Sequence, residues 1–197
     1  MGQYYRPLFI DQNGRMKVYQ RILIIRTGFP IPIWGKLSEH AWWDNVWVNT
    51  VCSKLFNHPH KVVWMGDYGD DNGVNVNGLS KRTIHRFWRA VCRTHSGRIL
   101  KFVKFSLEDK FLVNHTKGAY VDCNEYFVQS SNTSRWNTAN AHHPIPLLTA
   151  VGNGLGGGDF EGEGQEHVGS WAGDLIEIVL MAPKEYKKQI AVFRKEE

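Results

Sequence analysis

Apolar positions along this chain fall into short runs, and two stretches change to helical spacing. Residues 4–10 are apolar and aromatic, residues 16–25 are rich in β-branched side chains, and Gln12-Asn13-Gly14 lies between them. Asn-Gly between two such runs predicts a β-hairpin. After the breakers Gly28, Pro30, Pro32 and Gly35, Trp43, Trp47, Val51 and Leu55 recur every fourth residue. That spacing, with Ser38 as N-cap, predicts a helix over 38–55 with one large apolar face; Trp42 exceeds what that face needs and suits a surface stacking role. Residues 61–65 read as a buried strand. Ser80 is placed to cap a second helix, to about Thr94, with Ile84, Phe87, Trp88 and Val91 on its apolar side. Residues 99–105 form a further strand, and 110–115 with 119–123 a hairpin around Thr116-Lys117-Gly118. Residues 130–140 are polar and loop-like. Residues 145–151, 175–181 and 189–193 complete the strands.

Strands of this kind with two long helices predict an α+β fold: a single domain over 1–197, with a mainly antiparallel sheet and both helices packed on one face. Trp43, Trp47, Val51, Val63, Phe87, Val91, Val113 and Ile178 are the expected core.

Composition narrows the class. The 197 residues are 42% hydrophobic and 22% charged, with a net charge of +5. This describes a globular chain whose charge admits an anionic partner without requiring one. Cys52, Cys92 and Cys123 are widely spaced with no C-x-x-C pair, as expected of free thiols in a reducing compartment. MGQYYRPLF lacks the apolar core of a secretory signal, and no run of about 18 apolar residues is present. The expectation is a cytoplasmic protein with no membrane partner.

The densest candidate chemistry lies in residues 142–171, HHPIPLLTAVGNGLGGGDFEGEGQEHVGSW. Glycines let a backbone approach a ligand, and successive N–H groups in such a loop can cradle an anion; an ordinary surface loop is the competing reading. Gly152, Gly154 and Gly157 satisfy G-x-G-x-x-G, but the following Gly158-Asp159-Phe160-Glu161-Gly162 is poor material for the helix a dinucleotide site requires. A Walker A loop is excluded by the absence of Lys and Ser/Thr after Gly157. An EF-hand begun at Asp159 fails because Ser170 stands where the bidentate Glu belongs. Asn153, Gly154, Gly156 and Gly157 remain as candidate ligand-binding residues, with Asp159 beside them.

Other candidates lie at predicted strand ends. Asp67 follows the 61–65 strand in an Asp/Asn/Gly-rich turn, and His115 and Asp122 flank the later hairpin turn. His143 begins the glycine-loop segment. Asp67, His115, Asp122, His143 and Asp159 are thus candidate catalytic groups for acid–base work, weighed against turn and packing roles. No G-x-S-x-G, H-E-x-x-H or deaminase-type cysteine pair is present. His58 with His60, or His142 with His143, could bind a metal, but adjacent or alternate histidines are weak evidence, so cofactor and metal stay unassigned. On the second helix Arg82, Arg86, Arg89 and Arg93 share one side, and the basic run continues through Arg98, Lys101 and Lys104. Arg82 and Arg86 are candidate phosphate contacts; a solvated face paired with acids is the alternative.

MGQYY, VVWMGDYGDD, LVNHTKGAYVD, HPIPLLTAVGNGLGGGDF and VGSWAGDLI together resemble an uncharacterised family of intracellular proteins of bacteria, their phages and some large DNA viruses. The resemblance spans most of the chain. It implies a phage or viral accessory role, including interference with host defence, and supplies no chemistry.

Two functions stay open. One is binding, with or without hydrolysis, of a phosphate-bearing, nucleotide-like small molecule at the glycine loop. Asn153 and Asp159 would face its pocket, joined by His115 or Asp67, and Asp159→Ala is expected to abolish function at nearly unchanged melting temperature. The other is a non-enzymatic protein that binds nucleic acid or a host protein through the basic helix and exposed aromatics.

Overall fold

The computed structural model describes residues 3–24, 29–69, 75–76, 79–130, 141–153 and 159–194. The strands are β1 (Tyr5–Ile10), β2 (Met16–Leu23), β3 (Pro30–Pro32), β4 (His60–Gly66), β5 (Asn75–Val76), β6 (Leu79–Ser80), β7 (Arg98–Lys101), β8 (Phe111–Asn114), β9 (Ala119–Asp122), β10 (Ala150–Val151), β11 (Leu175–Val179) and β12 (Lys187–Lys188). The helices are α1 (Leu37–His40), α2 (Val46–Cys52), α3 (Lys81–Thr94), α4 (Cys123–Ser130) and α5 (Pro144–Leu148). The fold is α+β, with a mainly antiparallel ten-stranded sheet in the order β12-β9-β8-β11-β4-β1-β2-β3, to which β10 and β7 add beside β4 and β2.

β4 is the hub. One edge pairs antiparallel with β1 along its whole length, from Ile10↔Lys61 to Tyr5↔Gly66. The other edge is shared: β11 pairs antiparallel at His60 and Lys61, and β10 pairs parallel at Trp64 and Met65. Alternation along β1 and β4 sorts their side chains between two apolar layers. Phe9, Val62 and Trp64 face α2, α5 and the larger cluster. Leu8, Ile10, Val63 and Met65 face Ile84 and Trp88 of α3.

The two long helical segments therefore lie on opposite faces of the sheet, not on one. A sheet whose strands are apolar on both sides needs cover on both. The hairpin β1–β2 forms as expected: Asp11 Oδ1 accepts from Asn13 N and Arg15 N, both at 2.9 Å, and Gly14 takes φ +73°. The β8–β9 hairpin and α3 also form.

Other expectations are corrected in detail. The helix over 38–55 is broken into α1, α2 and a 3-10 turn at Ser53–Leu55. Asn45 Oδ1 accepts from Trp47 N at 2.9 Å and Val48 N at 3.1 Å, so α2 starts at its own cap and not at Ser38. Ahead of that cap Trp43 N donates to Ala141 O at 2.8 Å, which takes the backbone out of the helix. Residues 145–151 are mostly α5, with only Ala150–Val151 extended: Pro144 sits at the first helical positions, where its missing N–H is no loss, and His143 caps them. Residues 99–105 leave the sheet after Lys101, and 189–193 form no strand; β12 comes earlier and runs parallel to β9. Trp42 is no free stacker, since its ring packs 4.4 Å from that of His142 and its Nε1 donates to Glu39 O at 2.8 Å. Of the expected core, Trp43, Val51, Val63, Val113 and Ile178 are buried, while Trp47, Phe87 and Val91 are only half-buried. Residues 131–140 lie outside the described ones.

Candidate functional site

Parallel pairing of β4 and β10 brings two strand ends together. Asp67 follows β4, and Gly152 and Asn153 follow β10. In parallel arrangements such C-terminal ends form the crevice that ligands use. The antiparallel partner β1 delivers its beginning to the same place, so Gln3 and Tyr5 arrive from the N-terminus.

Tyr5 Oη donates a short hydrogen bond to Asp159 Oδ1. The Gln3 side chain is fully buried, and its amide orientation follows from its partners. Nε2 donates to Asp159 Oδ1 at 2.8 Å and to Asn153 Oδ1 at 3.0 Å, while Oε1 accepts from Gly69 N at 3.3 Å. Asp67 is tied to the same segment: Tyr4 N donates to its Oδ1, and its own N–H donates to Tyr4 O, each at 3.0 Å. Burial first, and then the Asp159 and Asp67 carboxylates, raise the Tyr5 phenol far above its ordinary pKa and keep it protonated as a donor.

Glycine makes room for these contacts. A Cβ on Gly152 would stand 2.1 Å from Tyr5 Oη, and one on Gly66 would stand 2.3 Å from the Gln3 amide. At both positions only hydrogen fits between the backbone and the polar cluster.

The structure thus brings Asn153 and Asp159 together through Gln3 and Tyr5, with Asp67 held beside them by the Tyr4 backbone. His115 does not join them. Its N–H donates to Leu175 O at 2.8 Å, and Leu175 is level with Lys61, roughly 20 Å along β4 from Asp67 at about 3.3 Å per residue. There His115 Nε2 lies 2.8 Å from Glu177 Oε2, and Nδ1 lies 3.2 Å from Tyr186 Oη. Asp122 caps α4, accepting from Asn124 N at 3.1 Å and Glu125 N at 3.2 Å. His143 is fully buried and caps α5: Nδ1 accepts from Ile145 N at 3.3 Å, and Nε2 donates to Asn49 Oδ1 at 3.2 Å. Burial lowers its pKa to about 3. Asp122 and His143 therefore serve as caps, apart from the Asp159 cluster.

Asp159→Ala would remove the acceptor shared by Tyr5 Oη and a Gln3 donor, so a cost in stability is expected of it. Gly154, Gly156 and Gly157 lie outside the described residues. Arg82, Arg86, Arg89 and Arg93 are all exposed on α3. Among the described residues no carboxylate lies within ion-pair distance of them.

Gln3 and Tyr5 are the residues that sequence reasoning missed. They sit in MGQYY, which reads as the start of an apolar-aromatic strand, and nothing local marks their partner 154 positions away. Among the described residues no group of three or more His, Cys, Asp and Glu side chains is arranged to hold a metal, and no helix is long and apolar enough to cross a membrane. No protein-family model, curated protein or solved structure matches the chain.

Proposed function

We propose that the chain binds a phosphate-bearing, nucleotide-like small molecule where β4 and β10 end, at the mouth of the glycine-rich loop. The observation that carries this reading is the hydrogen-bonded cluster of Gln3, Tyr5, Asn153 and Asp159, with Asp67 tied to the adjoining Tyr4 backbone. Two carboxylates there repel a bare phosphate, so the ligand enters as its divalent-cation complex. Mg²⁺ is commonly held by one or two carboxylates together with substrate phosphates. Asp159 and Asp67 would meet the cation, and backbone donors of the loop the phosphate oxygens.

Equilibrium binding of Mg²⁺-ATP and Mg²⁺-GTP tests this, comparing the wild type with Asp159→Asn, which keeps an acceptor for Tyr5 and removes the charge. Binding that needs Mg²⁺ and falls at least tenfold in the variant is expected; nucleotide binding indifferent to both would overturn the reading. Phosphate release in the same samples reports whether hydrolysis accompanies binding.

A second reading is favoured by the α3 arginines, whose exposure without a described carboxylate partner suits contact with a phosphate backbone. On this reading the partner is a nucleic acid, and affinity falls steeply with salt. A small-ligand pocket is far less sensitive.

A further inference from the structure

A pocket of about 370 Å³ opens near the His60 end of β4, away from Asp67. It lies between the 3-10 turn at Ser53–Leu55 and the chain that follows β7. Lys54 and Phe56 form one wall, and Leu100, Lys101, Val103 and Phe105 the other. Phe56 bridges to Ile178 of β11, just beyond the level of His60, which fixes the place in the sheet.

The chain after β7 is held beside α2. Phe102 N donates to Leu23 O at 3.0 Å, and Thr50 Oγ1 lies 3.2 Å from Val103 O. Alternate positions of an extended chain share a side, and Lys101, Val103 and Phe105 line the pocket together. Leu100 is buried, while Val103 is 45% exposed. The Phe56 and Phe105 rings stand 5.8 Å apart and tilted by 59°. They offer no parallel slot for a planar ring and suit a flexible chain.

The charge around this apolar lining has one sign. Lys54 and Lys101 are exposed. Among the described residues no carboxylate lies within ion-pair distance of either. Lys110 Nζ adds a third ammonium, 5.5 Å from the centre of the Phe105 ring. Lysine stems lie along apolar surface while their charged heads stay in water. Small-ligand pockets span roughly 300–1,000 Å³. At about 30 Å³ per water, this one has the volume of roughly a dozen waters, too little for a helix of another protein.

We infer that this pocket binds a small amphipathic anion, a carboxylate carrying one medium-length alkyl chain. The chain lies against Val103, Phe56 and Phe105, and the carboxylate meets Lys54 and Lys101. Exposed ion pairs are weak on their own, so burial of the chain supplies most of the affinity and the lysines select the sign of the head group. The inference goes beyond the nucleotide reading and is independent of the Asp159 cluster.

Calorimetry tests it by titrating decanoate, decyltrimethylammonium and acetate, each as a monomer below its micelle concentration, into the full chain. Wild type is compared with Val103→Trp, which fills the pocket from an exposed position, and with the Lys54→Ala, Lys101→Ala double variant. Circular dichroism checks that each is folded. Saturable binding of one decanoate is expected, with no binding of the cation or of acetate. Val103→Trp should abolish it, and the double lysine variant should weaken it roughly five- to tenfold, as two exposed ion pairs would. Because the lysines are exposed, that second variant keeps the test decisive should Val103→Trp fail to fold. Absence of decanoate binding overturns the inference. So does binding that is indifferent to the lysines, or equal affinity for the cation.

Discussion

Protonation of His143 sets a limit on stability in acid. The ring is enclosed by Trp43, Asn49 and the first turn of α5, with Nδ1 accepting from Ile145 N. A proton on Nδ1 would break that cap and place a charge in a fully buried site. The folded-state pKa is about 3 against an ordinary value of 6.5. The folded value is the lower one, so the favourable neutral form contributes fully above about pH 6.5. That contribution is lost as pH falls toward 3. Between those limits the unfolded chain holds one more proton, so stability falls by about 1.4 kcal/mol per pH unit. At about pH 5 the loss from this one group is roughly 2 kcal/mol. His143→Gln removes the titration. Its static effect, on the order of 1–3 kcal/mol from the lost cap and packing, is the same at both pH values. Urea unfolding of both proteins at about pH 7.5 and pH 5 should show the wild-type advantage shrinking by that roughly 2 kcal/mol. A gap that stays constant across this range would refute the buried neutral histidine, since other titrating groups are common to both proteins and cancel.

Three further outcomes are expected. Asp159→Ala should lower stability by about 1–3 kcal/mol through the hydrogen bonds lost to Tyr5 and Gln3, whereas Asp159→Asn should lose less; thermal melts of the two variants check this, and equal melting temperatures would contradict the hydrogen bond. Gly164→Ala should unfold the segment around it or cost several kcal/mol, because Gly164 has φ +89° and an added Cβ would stand 1.8 Å from Val192 O; near-normal denaturant stability would contradict that packing. If the chain binds nucleic acid, Arg86→Ala with Arg93→Ala should weaken it and reduce the salt slope by about 2, as read by fluorescence anisotropy over a salt series; an unchanged slope would clear α3 of phosphate contact.

What the sequence revealed depended on whether the controlling interaction was local. The β1–β2 turn, the β8–β9 turn and α3 were legible because Asn-Gly, Lys-Gly and a repeating apolar face act within a few residues. The spacing of Trp43, Trp47, Val51 and Leu55 was equally regular, yet it did not yield one helix. Asn45 offers a cap inside that stretch, and the Trp43 backbone is drawn to Ala141, nearly a hundred positions away. The same distinction governs the candidate site. Asp67, Asn153 and Asp159 were visible as carboxylates and amides beside glycine turns. Which of them meet is decided by strand register: the antiparallel order β8-β11-β4 sends His115 to the far end of the sheet, while the parallel β10–β4 pair aligns Asn153 with Asp67. Gln3 and Tyr5, which join these groups, look like ordinary strand residues until β1 is laid against β4. Their glycine counterparts give the one sequence-level trace of the arrangement, because Gly66 and Gly152 occupy strand ends where a side chain would collide with Gln3 and Tyr5. A glycine ending an otherwise apolar strand is thus a mark of something packed against the backbone, and here two such marks converge on one cluster.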